Sequence, residues 1–241
     1  MAFYTQGCRS NQSETAVLQN IFEGQGYAIR SFNEPADILV VNTCTVTENS
    51  ESDLRKLVNR VVRQQPHIQV ALIGCQAQLH TKELARFPNV RWIVGTADKM
   101  RLPEILSSAS AAEYLQVIRG NFSRGPFSVP AAGIDRQHSR ANIKIQDGCD
   151  EFCSFCEVPY ARGRARSRVF SDIRKEAKTL VNAGHQELVI TGKTSRCVLA
   201  CGSGDAGRGI CRRHHSQADR GSRQGNVRRQ DRSAGIHCGC P

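Results

Sequence analysis

Six of the eleven cysteines in this 241-residue chain stand where thiol chemistry can be organised. Cys149, Cys153 and Cys156 form a C-x-x-x-C-x-x-C run with Gly148 directly ahead of it. Three thiolates on one tight loop can hold three irons of a 4Fe–4S cluster, which leaves the fourth iron open to a substrate or cofactor. Zinc would ask for a fourth ligand and for paired C-x-x-C units, which this loop lacks. Phe152 and Phe155, between the cysteines, are expected to shield such a cluster from water. The plainer alternative is three unconnected reduced thiols. The glycine before Cys149 and the strand pattern feeding the loop argue against it.

Cys8, Cys44 and Cys75 are spread along the chain, but each follows a predicted strand. In open α/β sheets the carboxyl ends of the strands are where ligands bind. Gly7 and Gly74 precede two of the three and would let the backbone come close. One such thiol reads as a buried core cysteine. Three placed alike read as ligands of a second cluster. The other five cysteines, Cys197, Cys201, Cys211, Cys238 and Cys240, lie late in the chain at spacings that fit no compact zinc site. Arg162, Arg164, Arg166 and Arg168 alternate just after the three-cysteine loop. Four guanidinium groups there could hold phosphates or a carboxylate, or form an ordinary solvated basic loop.

The elements that would position these groups alternate strand and helix over residues 1–106. Residues 38–41 and 70–73 are continuous apolar runs, as expected for strands covered on both faces. Residues 3–6 and 92–94 are further strand candidates. Leu54, Leu57, Val58, Val61 and Val62 repeat at helical spacing. Val17, Leu18, Ile21 and Phe22 mark an earlier helix, with Asn11 and Glu14 at capping-box spacing before it. Residues 102–106 suggest a short helix. The fold class expected is α/β with an open parallel sheet. Residues 107–140 read as a linker with one strand at 114–118. From 141 a second unit begins: a strand through Ile143 and Ile145, a helix capped by Ser171 and closed by Gly184, and a strand at 188–190. Residues 193–241 hold no Phe, Tyr or Trp and only five Val, Leu, Ile or Met. Such a segment buries too little apolar surface to offset its ordering entropy, so a disordered basic tail is expected, as if from a shifted reading frame.

The net charge of +11 suits an acidic partner such as nucleic acid. Most of the excess is in the tail, where ten Lys and Arg face three Asp, so the body is only mildly basic. The N-terminus lacks the pattern of a secretory signal, and no apolar run approaches the roughly 20 residues a membrane span needs. A cytoplasmic location follows, with no membrane partner and with reduced thiols available for metal chemistry.

At these residues the chain resembles the radical-SAM tRNA methylthiotransferase family, and more narrowly the branch that modifies threonylcarbamoyladenosine. The matching pieces are YTQGCRSNQSE, DILVVNTCTVT, ALIGCQAQ, IVGTADK and IKIQDGCDEFCSFCEVPYARGRARSR, in family order. The resemblance implies that Cys149, Cys153 and Cys156 hold the 4Fe–4S cluster that binds S-adenosylmethionine. A one-electron reductant would drive cleavage to a deoxyadenosyl radical, which takes hydrogen from C2 of the modified adenosine in the tRNA anticodon loop. Cys8, Cys44 and Cys75 would hold an auxiliary 4Fe–4S cluster that delivers sulfur, and a second S-adenosylmethionine would supply the methyl group. Arg162, Arg164, Arg166 and Arg168 would be RNA or S-adenosylmethionine contacts. The resemblance also implies a methylthiotransferase domain over 1–106, then the first βαβ of a partial β/α barrel over 141–192. The rest of that barrel and an RNA-binding domain would follow in the family, so a truncated, inactive copy is expected. Two alternatives stand beside this: the same chemistry on isopentenyladenosine or a ribosomal protein, or a cluster- or RNA-binding fragment without activity. Resequencing the gene across the codons for Thr191 to Arg196 is expected to reveal one inserted or deleted base that restores a long frame. An unchanged frame and stop would refute the frameshift.

Overall fold

The two apolar runs lie at the centre of a five-stranded parallel sheet. In the computed structural model, residues 1–45, 50–108, 114–134 and 139–193 are described. The expectations made for residues 194–241 lie outside them. The first part of the chain runs β1 (Ala2–Thr5), α1 (Arg9–Gly24), β2 (Ile38–Thr43), α2 (Ser50–Gln64), β3 (Gln69–Gly74), α3 (Cys75–Leu79), α4 (Thr81–Leu84) and β4 (Val90–Gly95). A 3₁₀ turn at Lys99–Arg101, α5 (Leu102–Ser108) and β5 (Gln116–Ile118) follow. The strands stand in the order β1-β2-β3-β4-β5, all parallel, with Thr5 opposite Asn42 and Thr43 opposite Gly74. The strand expected within the linker is thus the fifth strand of the main sheet.

Strand side chains alternate between the two faces, and each face has its own helices. Leu39, Val41, Leu72 and Ile93 pack under Leu54, Val58 and Val61 of α2, with Leu84 and Phe87 beside them. Phe3, Val40, Ile73 and Val94 pack on the other side under Leu18 and Phe22 of α1 and Leu102, Ile105 and Leu106 of α5. Both faces are therefore dry, which is why β2 and β3 carry no polar alternation.

The second part comprises β6 (Arg140–Lys144), β7 (Gln146–Asp147), α6 (Val158–Arg162), β8 (Arg166–Ser167), α7 (Phe170–Asn182) and β9 (Glu187–Thr191). β6 and β9 pair in parallel and β7 pairs with β8 antiparallel. Leu180 of α7 packs on Ala141 and Ile143, with Ile173, Ala177 and Leu188 at the margin. α7 ends as expected: the Gly184 N–H donates to Val181 O (3.0 Å) and the His185 N–H to Leu180 O (3.1 Å), a Schellman arrangement. Val181 and Ile190 are exposed, leaving an apolar margin along this βαβ unit. Among the described residues, no helix is long and apolar enough to cross a membrane.

Two helix starts differ from expectation. α1 begins at Arg9 after Cys8, with no side-chain cap, so Asn11 and Glu14 lie inside the helix. Their side chains face buried partners on other elements instead of their own N–H groups. α7 begins one residue before Ser171, after Val169, also without a side-chain cap.

Phe22 is fully buried whereas Val181 is 57% exposed on its helix. Phe22→Ala is expected to cost about 3–5 kcal/mol in urea unfolding. Val181→Ala should stay within about 0.5 kcal/mol.

Candidate functional site

Cys8 lies three residues past β1, Cys44 directly follows β2, and Cys75 directly follows β3. These three strands are neighbours, and adjacent strands stand roughly 4.8 Å apart, so the thiols share one patch about 10 Å across at the carboxyl edge. Cys44 and Cys75 are buried and Cys8 is half-buried. Gly7 makes the closest approach possible. Its φ is +96°, and a Cβ there would overlap the Cβ and Sγ of Cys44. A hydrogen bond from Cys44 and the positive charges of Lys193 and Arg162 together outweigh burial and push the Cys8 thiol down to about 4. Lys193 Nζ stands 2.9 Å from Cys8 Sγ. Cys8 is therefore a thiolate at neutral pH, the form that binds metal.

Amide side chains tie the three strand ends together. Asn11 Nδ2 donates to Gln6 O (2.9 Å) and Thr43 O (3.0 Å), just ahead of Cys8 and Cys44. Gln6 Nε2 donates to Ser50 O (2.8 Å), and Gln76 Nε2 to Ser50 Oγ (2.9 Å). The start of α2 is thus pinned from the ends of β1 and β3.

The three-cysteine loop is closed on itself. Gly148 has φ +72°, and a Cβ there would overlap the carbonyls of Gly163 and Arg164. The Cys149 N–H donates to Gly163 O (3.1 Å), so the loop's entry lies against its exit. Cys153 is exposed, and Cys149 and Cys156 are half-buried. The expected aromatic shield is not formed. Phe155 is 88% exposed, and Phe152, also exposed, packs edge-on against Tyr160 at 5.9 Å.

The four arginines do not share a face, because two are consumed by internal carboxylates. Arg162 is fully buried. Its Nη1 donates to Glu14 (3.0 Å) and Asp147 (2.8 Å), and its Nη2 to Glu14 (3.2 Å) and Asn11. Arg168 is buried between Asp172 (2.7 Å) and Glu176. Neither side chain is open to RNA or S-adenosylmethionine as placed here. Arg166 lies against Phe122 and Phe127 and reaches Asp147 at 3.5 Å. Arg164 alone of the four is well exposed, over the Phe152 ring and 2.7 Å from Asp150.

Glu14 is the centre of this network. Lys144 Nζ stands 2.6 Å from it and 3.0 Å from Asp147, and Lys99 donates to its other oxygen. Burial would raise the Glu14 carboxyl, but Arg162, Lys144 and Lys99 hold it well below the usual range. Asp147 is likewise held low, against burial, by Lys144 and Arg162. Sequence reasoning missed Asn11, Glu14, Lys99, Lys144 and Asp147. A signal was present: Asn11, Glu14, Leu18 and Ile21 recur at i, i+3, i+7 and i+10, so two polar groups sit on the stripe that faces inward.

Cys156 of the loop and Gln76, the residue after Cys75, line one cleft. A cavity of about 490 Å³ has Thr45, Ser50 and Gln76 on the strand-end side and Phe155, Cys156 and Glu157 on the loop side. Among the described residues, no three Cys, His, Asp or Glu side chains close around a single ion position. A cluster asks for a different arrangement, because each thiolate takes a separate iron and the ligands stand further apart. Two all-thiol sets, one with a thiolate already formed, fit iron–sulfur groups.

Residues 1–95 match the model of the uncharacterized protein family UPF0004. The chain is 38% identical over 198 residues to the threonylcarbamoyladenosine tRNA methylthiotransferase MtaB of Bacillus subtilis, covering 80% of this chain and 43% of that protein. It is 36% identical over 196 residues to the protein of the same name from Aquifex aeolicus, covering 80% and 47%. It is 35% identical over 196 residues to the tRNA-2-methylthio-N(6)-dimethylallyladenosine synthase of Clostridium botulinum, covering 78% and 42%. The chain thus spans less than half the length of these curated relatives. A radical S-adenosylmethionine methyltransferase, TsrM, from Kitasatospora setae, solved with cobalamin and a [4Fe-4S] cluster, shares the fold with a TM-score of 0.51 at 16% identity, covering 79% of this chain and 48% of that one.

Stability should depend on pH through Glu14 and Asp147. In the unfolded chain these carboxyls take up protons near 4.5 and 3.8, and in the fold only at lower pH. The folded state binds fewer protons there, so their contribution is complete above about pH 4.5 and is lost as pH falls below it. Urea unfolding from neutral to acid pH should show this loss. Glu14→Gln should flatten it and cost about 3–5 kcal/mol at neutral pH, since it leaves buried cations unpaired.

Proposed function

We propose that residues 1–193 are the thiol-bearing part of a radical-SAM tRNA methylthiotransferase that acts on C2 of N6-threonylcarbamoyladenosine beside the anticodon. The resemblance of this chain to the two MtaB proteins supports the family and the branch. The observation that carries the reading is the gathering of Cys8, Cys44 and Cys75 past three adjacent parallel strands, beside a cleft lined by Gln76 on that side and by Cys156 of the three-cysteine loop on the other. A sulfur transfer initiated by a radical needs two reactive centres close to one substrate atom, and this arrangement supplies two places to hold them.

Cys149, Cys153 and Cys156 would hold one 4Fe–4S cluster, and Cys8, Cys44 and Cys75 the other. When bound, these clusters and S-adenosylmethionine would supply the carbon radical, the sulfur and the methyl group. The protein's own part is positional. Parallel strands give Cys8, Cys44 and Cys75 a rigid base, and burial of Cys44 and Cys75 keeps water from that side. A hydrogen bond from Cys44, with the charges of Lys193 and Arg162, keeps Cys8 deprotonated. Arg164, with exposed Tyr160 nearby on the same loop and helix, offers a cation and an aromatic ring to a single-stranded RNA loop. An anticodon base needs no duplex opening to enter the cleft. A one-electron reductant would be the second partner, and a cytoplasmic location suits both.

The dimethylallyladenosine relative at 35% identity supports a second substrate. One experiment separates the two. A chimera carrying residues 1–193 in place of the matching segment of the Bacillus subtilis relative is expressed in a strain lacking its own methylthiotransferases. Mass spectrometry of its tRNA nucleosides should show methylthiolated threonylcarbamoyladenosine, and Cys149→Ser or Cys44→Ser should abolish it. A product on dimethylallyladenosine alone would reassign the substrate. No product from a folded, iron-loaded chimera would overturn the proposal.

A further inference from the structure

Two reactive centres that share one substrate must keep a fixed separation, and the Asn11–Arg162 pair joins the backbone of one set of thiols to the loop of the other. We infer that Asn11 and Arg162 are positioning residues that lock the strand-end thiols to the three-cysteine loop. The inference rests on the reading that these cysteines hold clusters.

The Asn11 amide is fully engaged and fully buried. Its two N–H groups reach Gln6 O and Thr43 O, which lie two residues before Cys8 and one before Cys44. Its oxygen accepts from Arg162 and lies 3.9 Å from Cys8 Sγ. Arg162 in turn stands six residues after Cys156, at the exit of the loop. Its partner Asp147 stands two residues before Cys149, at the entry. One guanidinium therefore grips both ends of the three-cysteine loop and, through one amide, the backbone that carries Cys8 and Cys44. Only a planar fork can face Glu14, Asp147 and Asn11 at once, and a lysine ammonium has no such geometry. Only an amide offers two donors to the carbonyls and an acceptor to the arginine.

Arg168 provides the contrast. It is a buried arginine of the same segment with two carboxylate partners, but it makes none of these contacts with the strand ends. A purely structural role predicts that losing either arginine has the same effect. A positioning role predicts that only Arg162 affects the strand-end thiols.

The test uses the full chain with Cys149, Cys153 and Cys156 replaced by alanine and Cys197, Cys201, Cys211, Cys238 and Cys240 by serine, so that iron reports on Cys8, Cys44 and Cys75 alone. After anaerobic loading with iron and sulfide, the rate of iron release to a chelator is followed beside the thermal melt. Asn11→Ala and Arg162→Lys should each release iron about 10-fold faster or more, the usual size of outer-contact effects on a metal site. Arg168→Lys should lower the melt without changing the release rate. Release at the parent rate in a folded Arg162→Lys chain would overturn the inference, as would equal acceleration by Arg168→Lys. If Asn11→Ala does not fold, Arg162→Lys decides. If the parent itself binds no iron, the reading of Cys8, Cys44 and Cys75 as ligands fails, and the inference falls with it. That outcome is recognisable before any positioning residue is changed.

Discussion

The buried ion cluster around Glu14 is the constraint on which the rest of the molecule depends. Glu14 comes from α1, Lys99 from the turn before α5, Lys144 from β6, and Arg162 from the helix after the three-cysteine loop. Each of these ions is costly to bury alone, and removing the Glu14 carboxylate leaves its buried cations short of a partner. The cluster can form only when the five-stranded sheet and the β6–α7–β9 unit stand in one relation. Apolar contacts tolerate sliding, whereas a fork bridging two carboxylates does not.

The cluster is also unbalanced. Lys99, Lys144 and Arg162 carry three positive charges against the two negative charges of Glu14 and Asp147. The surplus faces Cys8, whose thiol the positive charge of Arg162 helps to hold low. Arg162, which joins the two parts of the chain, therefore also favours the thiolate of Cys8. An electropositive, partly buried setting of this kind makes a cysteine a ligand instead of an inert core residue.

This arrangement explains why a motif rich in arginine is not a simple basic patch. In ARGRARSR, the first and last arginines turn inward to carboxylates while Arg164 stays outside. β8 forms at Arg166–Ser167 between them and pairs with β7. Extended backbone would send alternate residues to the same side, but the segment enters from the end of α6 and leaves into α7. Its side chains therefore meet three different surroundings.

Much of the fold was legible in order along the chain. The apolar runs at 38–41 and 70–73, the helical repeat from Leu54 to Val62, and the βαβ pattern after Ala141 all became the elements they suggested, because local periodicity reflects which side of each element is dry. The positions of Cys8, Cys44 and Cys75 just past strands were equally plain, since a parallel sheet must place successive strand ends at one edge. What only the tertiary structure decided is which polar groups are buried together. Asn11 and Glu14 carry the spacing of a helix cap, and nothing local distinguishes that role from the one they have, facing Arg162 from 148 or more positions away. Likewise, only the packing shows that Phe155 stands in solvent and that Arg162 does not. Sequence determines an element's own periodicity, whereas the partner of a buried charge is set by whichever distant element comes to lie against it.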